Sequence, residues 1–396
     1  MAESVSPWLT LIGIGEDGLA GLSDASRAAL DAAEIVFGGP RHLALAGVGA
    51  RGRAWPVPFS TAPVLAARGR QVAVLASNDP FWFGAGGALV PDLARGEWRS
   101  YPAPSTFALA ANRLGWRLEE TRCLGLHAAP YARLIADLAP GARLICTLRD
   151  GAAAGELAAW LVAQGFGASR LWLLEALGGP RERVRQAQAE GFALTEIAAP
   201  VAVAIAAQGG PGLARVPGLP DASFAHDGQI TRAPVRALTL SALAPRAGDR
   251  LWDIGAGSGS VSVEWCLAGG VASAIEVRAD RVANIRANIA GFGISHRMTV
   301  IEGSAPAALA GLAAPDAVFV GGGGNEALLG ALWGMLPEGV RLVANAVTLE
   351  TEALLAAWQA QKGGHLMRFE LSEAGPLGRM RGWVAGRPVV QWSVVT

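Results

Sequence analysis

The sequence predicts a two-domain α/β protein, and three observations carry that reading. Two series of short apolar runs alternate with helical stretches. A break rich in glycine and proline, residues 209–220, separates the two series. Apolar residues make up 52% of the chain against 17% charged, a balance suited to buried sheets and unlike that of a disordered chain. With 396 residues there is length for two cores.

The first series places strands at residues 9–14, 34–37, 71–76, 122–126, 142–148, 170–175 and 201–207. Several are continuously apolar, as strands covered on both faces are. Helical patterns intervene, among them 23–33, where Ser23 and Ser26 suit a capped start, and 156–164. The first domain is thus expected over 1–208, with 209–220 as linker. In the second domain, 221–396, strands are predicted at 250–254, 273–277, 298–301, 317–320, 340–345, 366–371 and 389–395. Seven strands with helices between the first five predict a doubly wound, Rossmann-like sheet. Residues 372–387 are too rich in glycine for a helix, so the last two strands should pair as an antiparallel hairpin.

Composition narrows the function classes. A formal net charge of +0 removes the general attraction to phosphate backbones that most nucleic-acid binders show, leaving room only for a local basic patch, so no nucleic-acid partner is expected. The first residues show no basic segment followed by an apolar core, and no apolar run approaches the roughly 20 residues of a membrane span, so neither export nor a membrane partner is expected. Cys123, Cys146 and Cys266 lie far apart without metal-type spacing, and the five histidines show no ligand pattern. The expectation is a cytoplasmic protein with reduced thiols and no metal.

One stretch points to chemistry. Leu251-Trp-Asp-Ile-Gly-Ala-Gly-Ser-Gly259 is an apolar strand running into three alternate glycines, and Glu276 closes the next strand. Gly255, Gly257 and Gly259 let backbone approach a ligand where a Cβ would clash, and a carboxylate one strand over can accept from both ribose hydroxyls. A dinucleotide fingerprint would need its third glycine two residues further on, and Ser260 breaks that spacing. S-adenosylmethionine, with no phosphate to cradle, fits better. Ala256 and Ser258 complete the turn, and Ser304, which ends the third strand together with Glu302, reaches the same sheet edge. Gly321 to Gly324 follows the fourth strand, where substrate should approach or where a loop is simply flexible. Asn345 and Thr348 end the fifth strand and could orient substrate or cap the next helix. Arg379 and Arg381 could grip carboxylates as bidentate partners or sit on an exposed hairpin tip. Arg181, Arg183 and Arg185, with Glu182 interleaved, read as a charged helix face. His127 could line a site or be a bonded core histidine.

Ordered motifs along both halves support a named resemblance. Gly218-Leu-Pro-Asp221, Gln229-Ile-Thr-Arg232, residues 251–259, Ala344-Asn-Ala-Val-Thr348 and Pro376-Leu-Gly-Arg379 resemble the decarboxylating precorrin methyltransferase domain of cobalamin biosynthesis. Ile12-Gly-Ile-Gly15, Gly38-Gly-Pro-Arg-His42, Ser77-Asn-Asp-Pro80, Pro102-Ala-Pro-Ser-Thr106 and Glu175-Ala-Leu-Gly-Gly-Pro180 resemble the tetrapyrrole methylases. The whole resembles the fused, decarboxylating precorrin-6B C5,C15-methyltransferases. That resemblance implies methylation of carbon 5 by the first domain and carbon 15 by the second, with loss of the ring C acetate carboxyl, giving precorrin-8. It implies one S-adenosylmethionine site per domain: Gly13, Gly15, Asp79, Pro80, Ser105 and Thr106 in the first, and in the second Thr231 closing over the 255–259 turn, with Ser304 and Ala305 beside adenine. It also implies that the first domain is built of two αβ lobes, about 1–102 and 103–208, and that the protein is a homo-oligomer. By residue chemistry alone, Asn78-Asp79-Pro80 is an ordinary turn and Ser105 or Thr106 an ordinary helix cap. Asn78 stands where these methylases usually carry glycine, and Ile230 where methionine is frequent. Two other readings remain at this level: one half serving only as a binding scaffold, or a nucleic-acid base methyltransferase on the second fold, against which the neutral charge and the lack of an Asn-Pro-Pro-aromatic motif count.

Overall fold

The computed structural model describes residues 7–396. The chain divides into two compact units, one made of the residues up to Tyr131 with Asp137–Gly212, the other of Leu213–Thr396 with Ala132–Ala136.

The first unit holds two five-stranded sheets. One is entirely parallel, in the order β3-β2-β4-β1-β5, from β1 (Leu9–Ile14), β2 (Ile35–Gly38), β3 (Gly52–Ala54), β4 (Val72–Ser77) and β5 (Trp98–Tyr101). Its central strands β1, β2 and β4 are almost wholly apolar because both faces are covered: Leu9, Leu11, Val72 and Val74 pack on one side, Ile12, Ile14, Ala73 and Leu75 on the other. The second sheet, β6 (Thr121–Gly125), β7 (Arg143–Thr147), β8 (Arg170–Glu175), β9 (Arg183–Gln188) and β10 (Val201–Ala206), runs in the order β6-β7-β10-β8-β9 and is antiparallel except for the β6/β7 pair. Ser23 caps the helix Asp24–Ala32, accepting from the Ser26 amide at 3.2 Å.

In the second unit the sheet comprises β11 (Arg250–Ile254), β12 (Val271–Glu276), β13 (Met298–Glu302), β14 (Ala317–Val320), β15 (Arg341–Ala346), β16 (His365–Phe369) and β19 (Val389–Val395), in the order β13-β12-β11-β14-β15-β19-β16. Five strands are parallel, and β19 runs antiparallel between β15 and β16. Alternation again divides the core into two faces, Leu251, Ala274, Phe319 and Val343 on one, Trp252, Ile275, Val318 and Leu342 on the other.

The structure corrects several expectations. Arg183 and Arg185 lie on β9, not on a helix, because Glu175, fully buried, draws both guanidinium groups along the neighbouring strand at 2.6 Å and 3.0 Å. β3, β5 and β9 escaped notice because they are short or polar edge strands with little apolar signal. Between β13 and β14 there is only the 3-10 turn Ala307–Leu309, not the helix expected between those strands. Residues 372–387 are not an irregular connection: β17 (Ser372–Leu377) and β18 (Met380–Ala385) form a separate two-stranded arm.

Candidate functional sites

In the second unit the turn after β11 is made of backbone. Gly255, Gly257 and Gly259 have φ of 67°, 60° and 71°, left-handed values that cost any residue with a Cβ. Each missing Cβ serves a different end. At Gly255 it would lie 2.6 Å from the Gly322 carbonyl oxygen, so the glycine loop after β14 packs directly on the turn. A Cβ on Gly259 would press on Met298 at 3.1 Å and Ile285 at 3.2 Å, the core side. At Gly257 it would meet nothing within 4 Å. That position opens on free space at the carboxyl edge of the parallel strands, where open α/β sheets take their ligands.

Glu276, buried at the end of β12, accepts from the Gly257 amide at 2.8 Å and from the Arg278 amide at 3.0 Å, one through each carboxylate oxygen. Lone pairs remain for two further donors, as a ribose diol would supply. Beside it Asp253, 1% exposed, accepts from Ser262 Oγ at 2.7 Å through one oxygen, while its other oxygen and Ser258 Oγ have no protein partner. Burial pushes the Asp253 carboxyl up to about 6, against the pull of the Ser262 bond, with the nearby Glu276 charge adding to the rise. Open space, unpartnered buried polar atoms and a free carboxylate edge fit S-adenosylmethionine. Ser304 and Ala305 follow β13, whose last residue Glu302 is in register with Glu276, so they flank the same edge. Ser304 Oγ makes only a local bond to the Ala305 carbonyl, at 3.3 Å.

Two residues that sequence reading did not single out fix the segment that ends in Thr231. Arg236, fully buried, donates to the Thr231 and Leu219 carbonyls, to Glu264 at 2.6 Å and to Asp221 at 3.2 Å. Asn288 donates to the carbonyls of Ser258 at 2.9 Å and Ala225 at 3.0 Å and accepts from the Ala225 amide at 2.7 Å, tying the glycine turn to the segment that leads to Thr231. A signal for Arg236 existed: with Thr239, Leu240 and Leu243 it completes the buried stripe of the helix Ala233–Leu243.

Four proposed substrate residues are placed apart. Asn345, on β15, is occupied by protein partners, donating to Thr239 Oγ1 at 2.9 Å and accepting from Gln391 at 3.0 Å. Thr348 caps the helix Leu349–Lys362, its hydroxyl accepting from the Thr351 amide at 3.3 Å. Arg381 lies on β18 and Arg379 in the turn before it, both exposed on the arm and outside the seven-stranded sheet.

The first unit contains a cavity of about 270 Å³ lined from both lobes. Asp79, Ser105 and Thr106 line it as expected, together with Asn78, Glu16 and Arg41. Ser105 also caps the helix Thr106–Leu114, accepting from the Ala108 amide at 3.0 Å, so the two readings of this residue coexist. Trp82, Phe83 and the exposed His127 add to the wall. Gly13, Gly15 and Pro80 are not among its lining. A Cβ on Gly13 would lie 1.5 Å from the Asn78 carbonyl oxygen, so this glycine lets the loop after β4 cross β1. Pro80 is buried and its carbonyl accepts from the Gly86 amide at 2.9 Å. Asn78 has φ 57°, a left-handed backbone that asparagine tolerates better than most other side chains and that would equally suit the glycine the resemblance leads one to expect here.

Among the described residues no group of three or more His, Cys, Asp or Glu side chains is placed to hold a metal, and no helix is long and apolar enough to cross a membrane. Family models match both halves: residues 9–193 that of the tetrapyrrole (corrin/porphyrin) methylases, and 222–396 that of a precorrin methyltransferase domain. A Sinorhizobium protein, precorrin-6Y C(5,15)-methyltransferase (decarboxylating), is 49% identical over 98% of this chain and 96% of its own. A shorter protein of Pyrobaculum calidifontis, a probable cobalt-precorrin-6B C(15)-methyltransferase (decarboxylating), is 39% identical over 34% of this chain and 72% of its own. The crystal structure of the C-terminal domain of precorrin-6Y C5,15-methyltransferase from Rhodobacter capsulatus is 61% identical, covering 46% of this chain and all of that one, with a TM-score of 0.46.

Proposed function

This chain belongs to the family of decarboxylating precorrin-6Y C(5,15)-methyltransferases, and we propose that its two units divide that chemistry, each with its own S-adenosylmethionine site. The first unit methylates carbon 5 of precorrin-6B, and the second methylates carbon 15 and removes the ring C acetate carboxyl, giving precorrin-8 for cobalamin biosynthesis. The observation that carries the division is the presence of a ligand-sized cavity in one unit and an open glycine turn with its buried carboxylate in the other.

When bound, S-adenosylmethionine supplies a methyl group on a sulfonium, open to in-line attack. The protein's part is alignment, which can lower a barrier by roughly 7 to 11 kcal/mol, and no strong base is required because the meso carbon of a reduced tetrapyrrole is enamine-like. Gly257 leaves room for the donor, Glu276 takes the ribose and Asn288 with Arg236 holds the covering segment. Decarboxylation leaves an electron pair that a protonated, iminium-like macrocycle accepts, so neither metal nor pyridoxal is called for. The arm β17–β18 exposes Leu377, Met380 and Val384 on one side and Trp383 on the other, an apolar surface that supports a homo-oligomer.

Incubation of the full chain with precorrin-6B and S-adenosylmethionine, followed by mass spectrometry, tests the reading. Two methyl gains and one loss of carbon dioxide are expected; methyl gain with the carboxyl retained would reject the decarboxylase assignment.

A further inference from the structure

We propose that Arg41 and Arg181 form a receptor for one carboxylate of the tetrapyrrole at the rim of the first unit's cavity, positioning the ring for methylation there. The inference rests on the reading of this unit as a tetrapyrrole-methylating site. Its basis is an imbalance of charge. Glu16, whose side chain is only 6% exposed, gives one oxygen to Arg41 and the other to Arg181, the latter at 3.0 Å. Two guanidinium groups share a single anion. The other partners of Arg41 are neutral: Ser77 Oγ at 2.9 Å and the His42 ring at 2.9 Å. His42 adds no charge, since burial, reinforced by Arg41, pushes its pKa down to about 4. The ionised form of Arg41 is itself disfavoured, first by burial and then by the Arg181 charge. Arg181 uses one N–H group on Glu16 and shows no other protein acceptor among the described residues. A second carboxylate would balance the pair, and a guanidinium fork is shaped to receive one.

Packing holds the pair in place. A Cβ on Gly179 would lie 2.5 Å from Glu16 Cβ, so the loop carrying Arg181 rests directly on Glu16. Glu182 anchors that loop, accepting from the Gly178 amide at 2.7 Å and from Arg113 at 2.5 Å. Next to the cations the cavity wall is aromatic: Trp82 and Phe83 are 40% and 53% exposed, each ring against Phe107. Phe83 keeps a φ of 58°, an unfavourable conformation for a bulky residue and of the kind found at binding sites. An apolar wall beside a cation pair suits a ring with flat faces and a carboxylated edge.

The carboxylate of S-adenosylmethionine has the same chemistry, and the test separates the two sources. In the full chain Arg181→Gln leaves Glu16 paired with Arg41, so the fold is preserved. The expected result is a KM for precorrin-6B in carbon 5 methylation raised roughly tenfold, the scale of one charge-assisted hydrogen bond, with kcat little changed. Calorimetric affinity for S-adenosylmethionine and the carbon 15 methylation with carbon dioxide release should not move, and Arg181→Lys should recover part of the loss. Arg41→Gln, checked by thermal melting, should act in the same direction. An unchanged KM would overturn the proposal, as would weakened S-adenosylmethionine binding at unchanged KM. Failure of the unaltered chain to methylate carbon 5 would instead refute the reading of the unit on which the proposal stands.

Discussion

Gly257 separates the structural from the ligand-facing role of the second unit's glycine turn. A methyl group there meets nothing within 4 Å, so Gly257→Ala suffers no clash, and the amide bond to Glu276 survives. What it does suffer is the left-handed φ of 60°, about 1 to 2 kcal/mol for an L-residue. In a unit of this size that lowers the melting temperature by a few degrees, at about 2 to 4 °C per kcal/mol. Gly255→Ala bears the same backbone cost and also places a Cβ 2.6 Å from the Gly322 carbonyl oxygen, so it must displace the neighbouring loop and melt lower still. Function should sort differently from stability. The Gly257→Ala methyl occupies the space assigned to the donor, so the variant should fold, still methylate carbon 5, and lose carbon 15 methylation together with carbon dioxide release. Melting curves and product mass spectra of both variants provide the assay. A Gly257→Ala chain that keeps full carbon 15 activity would refute the placement of the donor over this turn.

Four further outcomes follow from the same geometry. Arg236→Ala should destabilise the second unit by about 3 to 5 kcal/mol in urea unfolding, because Glu264 stays buried without its cation, and a loss below about 1 kcal/mol would contradict its anchoring role. The folded pKa of Asp253, about 6, lies above the ordinary 3.8, so the folded state holds this proton more tightly. Stability of the donor-free second unit should therefore fall as pH rises from 3.8 to about 6, by up to about 3 kcal/mol, and Asp253→Asn should flatten that slope. Asn78→Gly should stay within about 1 kcal/mol of the parent and keep carbon 5 methylation, since glycine also accepts the left-handed backbone; a large loss of donor affinity in calorimetry would show that the amide side chain touches the donor. Replacing Met380 and Trp383 by serine should reduce the mass measured by light scattering, and an unchanged mass would exclude the arm as the contact.

Legibility followed burial. The strands of the two cores were readable because each is apolar on both faces, and the 251–259 turn because its glycines fall where only glycine serves. β9 was not readable, since its arginines answer to Glu175, a buried carboxylate on another strand. The arm was missed because its glycines resemble a loop and its apolar residues face outward. In the first unit Asp79, Ser105 and Thr106, singled out by motif resemblance, line the cavity, whereas Gly13, Gly15 and Pro80 lie outside its lining and Gly13 instead makes room for the Asn78 carbonyl. Arg41, Glu16 and Arg181 come together only through the loop packed on Glu16, a contact between residues 165 positions apart that no local pattern encodes. Thr348 illustrates the reverse case: its cap function was written in the helix that follows it.

Equilibrium dialysis of labelled S-adenosylmethionine against the pure full-length chain tests the central claim most directly. Two equivalents bound per chain, falling to one in Gly257→Ala, are predicted. A single equivalent in the unaltered chain would contradict the assignment of a separate methyl donor to each unit.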